Sequence, residues 1–147
     1  MRPLLIILAL AGIVVSGLAL KVHYDTGTEP CSINDHWDCG IVNHSSFAMI
    51  HHVPIVHDVP VADIGIAGYL LLGVLALVRR RALLFIAALI GMGFAIHLTL
   101  IEKNVLEVWC LYCVISQGII ALITLLSAGW LIAAQVGKSR ASKSASA

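Results

Sequence analysis

Charged side chains are scarce in this sequence: Asp, Glu, Lys and Arg make up 12% of its 147 residues, whereas hydrophobic residues make up 60%. Soluble domains carry about 25% charged residues and about 45–50% apolar ones. A soluble fold of this length could not bury so much apolar surface, so the composition predicts a protein of the lipid bilayer. The net charge of only +1 provides no basic surface, and we expect no nucleic acid among the partners.

Four apolar segments are long enough, or nearly long enough, to cross a hydrocarbon core of about 30 Å, which takes a helix of about 20 residues. They are residues 3–20, 64–78, 82–101 and a longer segment within 105–136. These segments predict an all-α integral membrane protein, a bundle of four transmembrane helices with a long external loop between helices 1 and 2. We assign residues 1–136 to this membrane domain and residues 137–147 to a disordered cytoplasmic tail. The first segment also fits a signal peptide with a small-residue site near Gly17.

The basic residues are distributed unevenly between the two sides of such a bundle. Seven fall on one side: Arg2, Arg79, Arg80, Arg81, Lys138, Arg140 and Lys143. Lys21 and Lys103 fall on the other. Because basic residues near span ends stay in the cytoplasm, both termini are predicted to be cytoplasmic. The membrane is expected to be a bacterial inner membrane, with all four cysteines on its periplasmic side, where disulfides form and persist.

The four cysteines form two close pairs, Cys31 with Cys39 in the long loop and Cys110 with Cys113 near the outer start of the fourth span. Positions i and i+3 share a helix face, and the small ring of a CxxC disulfide is typical of redox-active pairs. A helix N-terminus lowers the pKa of a cysteine. However, Asn104 and Glu107 fit an N-cap and an N3 residue, and a helix beginning there would put Cys110 more than one turn inside it.

Each pair also has an interpretation without redox chemistry. Cys110 and Cys113 fit two buried thiols or two metal ligands, and Cys31 and Cys39 fit a static loop disulfide. The alternative is a shuttle, because thiol–disulfide exchange needs direct contact between sulfurs. A pair buried in a membrane protein cannot readily touch a folded external protein, and a second pair in a mobile loop solves that problem.

Several motifs together resemble the vitamin K epoxide reductase family over nearly the whole chain. They are Cys31 and Cys39, Ser45 six residues later, Gly65-Ile66-Ala67-Gly68-Tyr69 opening the second span, and Cys110-Leu111-Tyr112-Cys113 opening the fourth. The resemblance implies a four-helix bundle around a quinone, capped by the outer loop. It implies that Cys31 exchanges with a partner, that Cys39 reacts with Cys110, that Cys113 faces the quinone, and that Ser45 lies near the quinone.

The implied enzyme is a quinone-dependent thiol–disulfide oxidoreductase that supports disulfide bond formation. It would reoxidise a soluble thioredoxin-like (DsbA-like) dithiol protein on the external side and reduce a quinone, either ubiquinone or menaquinone. Because no thioredoxin-like domain is fused to these spans, we expect that partner to be a separate protein. Val61 and Gln117 stand where animal members carry Asn and Tyr, which argues against epoxide reduction. A proton donor for the quinol is expected at Asp63 or His97, and residues 41–50 are predicted to form an interfacial helix over the quinone.

The alternatives differ in class. A membrane metal-binding protein would use the cysteines with loop histidines such as His51, His52 and His57, although no clear zinc-ligand spacing is present and we expect no metal. A quinone reductase of the DsbB type has the same chemistry, but its CxxC lies in the first external loop. A structural membrane protein would hold two static disulfides.

Overall fold

The computed structural model describes residues 1–25, 31, 34, 36–50 and 59–145 and is mostly helical (84%). These residues include five α-helices: α1 (Arg2–Tyr24), α2 (Cys39–Asn43), α3 (Val61–Leu77), α4 (Arg81–Ile101) and α5 (Leu111–Ala145). A 3₁₀ turn (Ser46–Ala48) and two short strands, β1 (Met49–Ile50) and β2 (Val59–Pro60), lie between α2 and α3, and a π-helical turn (Glu102–Leu106) follows α4.

Within the described residues, three helical segments are long and apolar enough to cross a membrane: Arg2–Tyr24, Arg81–Leu106 and Leu111–Ser139. The fourth, α3, is apolar but has 17 residues, which extend about 25 Å at 1.5 Å per residue. Many large apolar side chains point outward, including Ile90 and Leu125, each 70% exposed. An apolar outer surface of this extent belongs in lipid. The chain is therefore a helical membrane protein, and the count of four spans stays a prediction.

Close contact between α1 and α3 organises the bundle. A Cβ atom added to Gly12 of α1 would come within 2.4 Å of the Tyr69 ring, and one added to Gly65 would come within 2.8 Å of Ser16 Oγ. Small residues allow membrane helices to approach each other in this way. The first half of α4 and the third and fourth turns of α5 complete a buried core with these helices. The core consists of Leu5, Tyr69, Leu72, Ala76, Leu84, Ala88, Ile119, Ile120 and Ile123.

At one end of the bundle, the loop after α1 folds over the start of α5. The backbone of Trp109 accepts a hydrogen bond from Asp38 N (3.1 Å) and donates one to His36 O (2.9 Å). Strands β1 and β2 pair antiparallel, with Met49 opposite Pro60, and join the end of this loop to α3. These contacts bring the segment before Cys39 next to the segment before Cys110.

Two local predictions are wrong. Residues 41–50 do not form one interfacial helix, because α2 ends at Asn43 and a 3₁₀ turn and β1 follow. No helix begins at Asn104 either: that residue lies in the π-helical turn, Glu107 has a left-handed φ of 54°, and α5 begins at Leu111. At its other end α5 continues to Ala145, into the predicted tail, whose cytoplasmic position stays a prediction.

Candidate redox site

The loop cysteines form a disulfide. Cys31 and Cys39 are bonded with their Cα atoms 5.8 Å apart, within the usual range. Cys39 is the first residue of α2, whose N-cap Asp38 accepts a hydrogen bond from Ile41 N at 3.1 Å. Both cysteines are buried, with 1% and 0% of their surfaces exposed. The short capped helix therefore fixes one half of the disulfide inside the folded loop.

Cys110 and Cys113 are free thiols at the N-terminus of α5. The Cys110 carbonyl accepts a hydrogen bond from Val114 N (3.0 Å), and its sulfur accepts one from Cys113 N (3.4 Å). Cys110 thus occupies the N-cap position, with its sulfur as the capping atom. A thiolate there lies at the positive end of the helix macrodipole, which the alternative helix start at Asn104 would not have allowed.

This environment holds the pKa of the Cys110 thiol below its usual range. The largest cause is a hydrogen bond from the Cys113 thiol, and the Cys113 backbone N–H and the Asn43 side chain contribute in the same direction. Burial and the negative charge of Glu102 oppose the shift. Since the thiolate is the nucleophilic form, Cys110 is the inner cysteine better prepared to attack a sulfur.

Asn43, the last residue of α2, connects the two cysteine pairs. Its buried Nδ2 donates to Cys39 O at 2.8 Å and to Cys110 Sγ at 3.6 Å. Its own carbonyl accepts a hydrogen bond from Nδ1 of His23 at the end of α1, and His23 stacks on His44. This role could not be predicted from the sequence, because an asparagine four residues after a cysteine belongs to no redox motif.

Glu102 is the second residue that the sequence did not indicate. It is 3% exposed, and its Oε2 accepts a hydrogen bond from Cys110 N at 3.2 Å. Its carboxyl also faces the Cys113 thiol, and the two side chains interact. The expected proton donors lie elsewhere, since neither Asp63 nor His97 lines the cavity described next.

A cavity of about 470 Å³ extends into the bundle from this cysteine cluster. It lies among α1, α3, α4 and α5, and the loop residues Val42–Ala48 contribute to its outer wall. Its walls are mainly apolar, with a few polar side chains: Ser16, His23, Asn43, Ser45, Tyr69, Thr99, Glu102, Cys113, Ser116 and Gln117. Sites for small apolar ligands have this size and this composition.

The predicted ligand residues and the two departures from the animal pattern meet in this cavity. Ser45, Val61, Cys113 and Gln117 all line it. The Ser45 hydroxyl donates to Val42 O at 2.7 Å, and the Gln117 side chain accepts a hydrogen bond from Thr99. Thus Gln117 is held by α4 beside Cys113, one turn further along α5.

In the described part of the chain, no group of three or more His, Cys, Asp or Glu residues is arranged so that it could hold a metal ion. His51, His52 and His57, the ligands of the metal alternative, lie outside the described residues.

A bundle of apolar helices in which a loop disulfide packs against a free CxxC pair defines a membrane protein of thiol–disulfide chemistry. The model of the vitamin K epoxide reductase family matches residues 3–138, and the chain belongs to this family. It is therefore a membrane oxidoreductase that acts on disulfides, in a family that works generally with quinones and thioredoxin-like proteins. A comparison with curated proteins gave no match.

Proposed function

We propose that this protein takes electrons from a soluble thioredoxin-like dithiol protein and passes them to a quinone dissolved in the membrane, so that the partner can form disulfides again. One observation carries the proposal. Cys39 of the disulfide and Cys110 of the free pair lie in the same buried cluster, connected by the Asn43 amide, while Cys113 lines the cavity. The cysteines are thus ordered from the outer loop to the apolar interior.

The transfer runs through successive disulfide exchanges. A partner thiolate attacks Cys31, which breaks the Cys31–Cys39 bond and releases Cys39 as a thiolate. The second thiol of the partner then displaces Cys31, so that the partner leaves with its own disulfide. Cys39 attacks Cys110 of an oxidised inner pair and releases Cys113. Cys31 then attacks Cys39, which restores the outer disulfide and releases Cys110 with the inner pair reduced. When the inner pair closes again, two electrons pass to the quinone, and two protons complete the quinol. In the structure the outer pair is oxidised and the inner pair is reduced; in the proposed scheme, quinone reduction would follow from this state.

The cavity supports a quinone as the electron acceptor. A quinone head group is flat and apolar, with two carbonyl oxygens that accept hydrogen bonds. The cavity offers apolar walls together with the side-chain amide of Gln117 as a donor. The hydroxyls of Ser45 and Ser116 also line it, and they would have to turn from Val42 O and Tyr69 to donate to the quinone. Bound there, the quinone would supply the two-electron acceptor that the thiols lack. Ubiquinone and menaquinone both meet these requirements.

The sidedness that we propose puts the cysteines in the periplasm of a bacterial cell and both termini in the cytoplasm. Basic side chains lie at the end of the bundle opposite the cysteines. Arg2 donates to Leu77 O at 3.1 Å, and the Arg81 guanidinium lies 4.8 Å from the centre of the Trp130 ring. Basic residues at one end of the spans are typical of the cytoplasmic side. We also propose residues 1–136 as the membrane domain and 137–147 as its tail.

Anaerobic mixing of the fully reduced protein with ubiquinone and with menaquinone tests this function. We expect quinol to form as free thiols disappear. Cys113→Ala should abolish quinol formation, whereas Cys31→Ala, the matched control, should retain it because the inner pair is intact. Purified protein that holds stoichiometric zinc or copper, with thiols that do not respond to quinone, would show a metal-binding protein instead.

A further inference from the structure

Glu102 is a buried carboxyl group in a protein whose other described acidic residues reach the surface at least in part. It lies at the start of the π-helical turn that follows α4, and such turns are frequent at functional sites. A carboxylate removed from water is costly unless strong hydrogen bonds compensate for the lost solvation. Its Oε2 has one such partner, Cys110 N, which a neutral glutamine could satisfy equally well. Accepting a hydrogen bond from Cys110 N therefore does not by itself explain why an ionisable side chain occupies position 102.

The second neighbour of Glu102 is a reacting atom. The carboxyl faces the Cys113 thiol, and both groups line the cavity. The other titratable side chains on the described walls are His23 and Tyr69, but Tyr69 O–H is engaged with Ser116 on α5 and His23 with Asn43. Lys103 and Glu107, on the same connection, are exposed. Glu102 is thus the titratable group that touches both the inner thiols and the cavity.

We infer that Glu102 is a catalytic residue of the quinone half-reaction: its carboxylate takes the proton of the Cys113 thiol and delivers it to an oxygen of the quinone. The inference rests on the proposed function and names the proton path of that same site.

The step balances as follows. The S–H bond of Cys113 breaks, and its proton forms an O–H bond on Glu102. The Cys110 thiolate then forms the S–S bond with Cys113, and the electron pair lost by the two sulfurs passes to the quinone. Glu102 releases its proton to one quinone oxygen and becomes a carboxylate again. The other oxygen takes a proton from water, equivalent to the one that Cys110 lost when it became a thiolate.

Glu102 also solves an electrostatic problem. Cys110 already carries the negative charge most readily and Glu102 is a carboxylate, so removing the Cys113 proton to bulk water would add a third negative charge to the buried site. When Glu102 takes that proton over a single contact, its own charge is neutralised as the Cys113 thiolate forms. The total charge of the Cys110–Cys113–Glu102 group then stays constant until the electrons leave.

The test is a single-turnover measurement of quinol formation by the reduced full-length protein and a short-chain ubiquinone, over a series of pH values. Glu102→Gln keeps the size of the side chain and an acceptor for Cys110 N but cannot carry the proton. We expect it to be slower by about a hundredfold or more near neutral pH, the usual range for general acid–base catalysis. The deficit should shrink as pH rises, because hydroxide then removes the Cys113 proton directly.

Two further variants separate proton transfer from structure. Glu107→Gln, an exposed acid on the same connection, should behave as the unmodified protein. Glu102→Ala leaves room for a small carboxylate, and we expect added formate to restore part of the rate.

The outcomes separate this inference from the proposed function. A Glu102→Gln rate and pH profile equal to those of the unmodified protein overturn the inference alone. An equal loss at every pH, with no response of Glu102→Ala to formate, also overturns it and leaves Glu102 a positioning residue. Failure of the unmodified protein to form any quinol overturns the proposed function, and this inference with it.

Discussion

Replacing Asn43 with leucine tests whether the loop helix activates the inner thiol. The change keeps the approximate volume of the side chain and removes the amide that donates to Cys110 Sγ and Cys39 O. Without that donor, the Cys110 thiolate loses a stabilising contact, so the pKa of the Cys110 thiol should rise. The thiolate fraction below that pKa, and with it the rate of closing the inner disulfide, should fall.

The magnitude follows from the type of contact. A hydrogen bond to a charged group contributes about 1.5–3 kcal/mol, and a 3.6 Å contact to sulfur belongs at the lower end of that range. About 1.4 kcal/mol corresponds to a factor of ten. We therefore expect quinol formation by Asn43→Leu to be about tenfold slower at pH values below the Cys110 pKa. The deficit should vanish at high pH, where the thiolate forms without assistance.

The assay is single-turnover quinol formation against pH, with thermal unfolding measured in parallel. Ile41→Ala is the matched control, since Ile41 lies on the same short helix with its side chain 52% exposed. We expect the control to keep the normal rate. If folded Asn43→Leu reacted as fast as the unmodified protein at every pH, the role assigned to Asn43 would be refuted.

Two other variants test the relay and the bundle. Cys39→Ala should accumulate a mixed disulfide between Cys31 and a thioredoxin-like partner, visible on non-reducing gels; a static loop disulfide would give no such adduct. Gly12→Ala should destabilise the protein by about 1–3 kcal/mol, the usual cost of overpacking, because the new Cβ meets the Tyr69 ring. Gly17→Ala, at a position with no atom within 4 Å of the added Cβ, should leave the unfolding temperature nearly unchanged, and equal effects of the two changes would contradict this packing argument.

The sequence predicted the parts of the molecule that depend on local composition. Long apolar runs identified α1, α4 and α5, because lipid-facing helices must be apolar along most of their length. Whether α3 crosses the membrane is harder to predict, since its 17 residues are close to the minimum length of a transmembrane helix. Cysteine spacing predicted the Cys31–Cys39 pair, which is bonded at a sequence separation of 8. Cys110 and Cys113 are free thiols, although Cys113 N donates a hydrogen bond to Cys110 Sγ, so their redox pairing stays a prediction.

The predictions that failed concern features that depend on contacts between distant segments of the chain. Asn104 and Glu107 have the right residue types for a helix start, but the backbone of Trp109 pairs instead with His36 and Asp38. With this pairing in place, α5 begins only at Leu111, and Cys110 is its N-cap residue. The backbone N–H of this N-cap residue donates to Oε2 of Glu102. Neither effect is visible in a local pattern, because both require the long loop to return to the bundle.

The contacts that bring the outer disulfide close to the inner cysteines also bury it away from solvent. Two backbone hydrogen bonds of Trp109, one with Asp38 and one with His36, act together with the Asn43 amide to hold Cys39 beside Cys110. In this arrangement Cys31 is only 1% exposed. In the proposed relay, a partner thiolate must touch the Cys31 sulfur, because exchange proceeds through a mixed disulfide. Such a relay requires the loop to open to receive electrons and to close to pass them on. Local opening of this kind costs less than global unfolding, and the contacts that it would break are the few hydrogen bonds between these short segments.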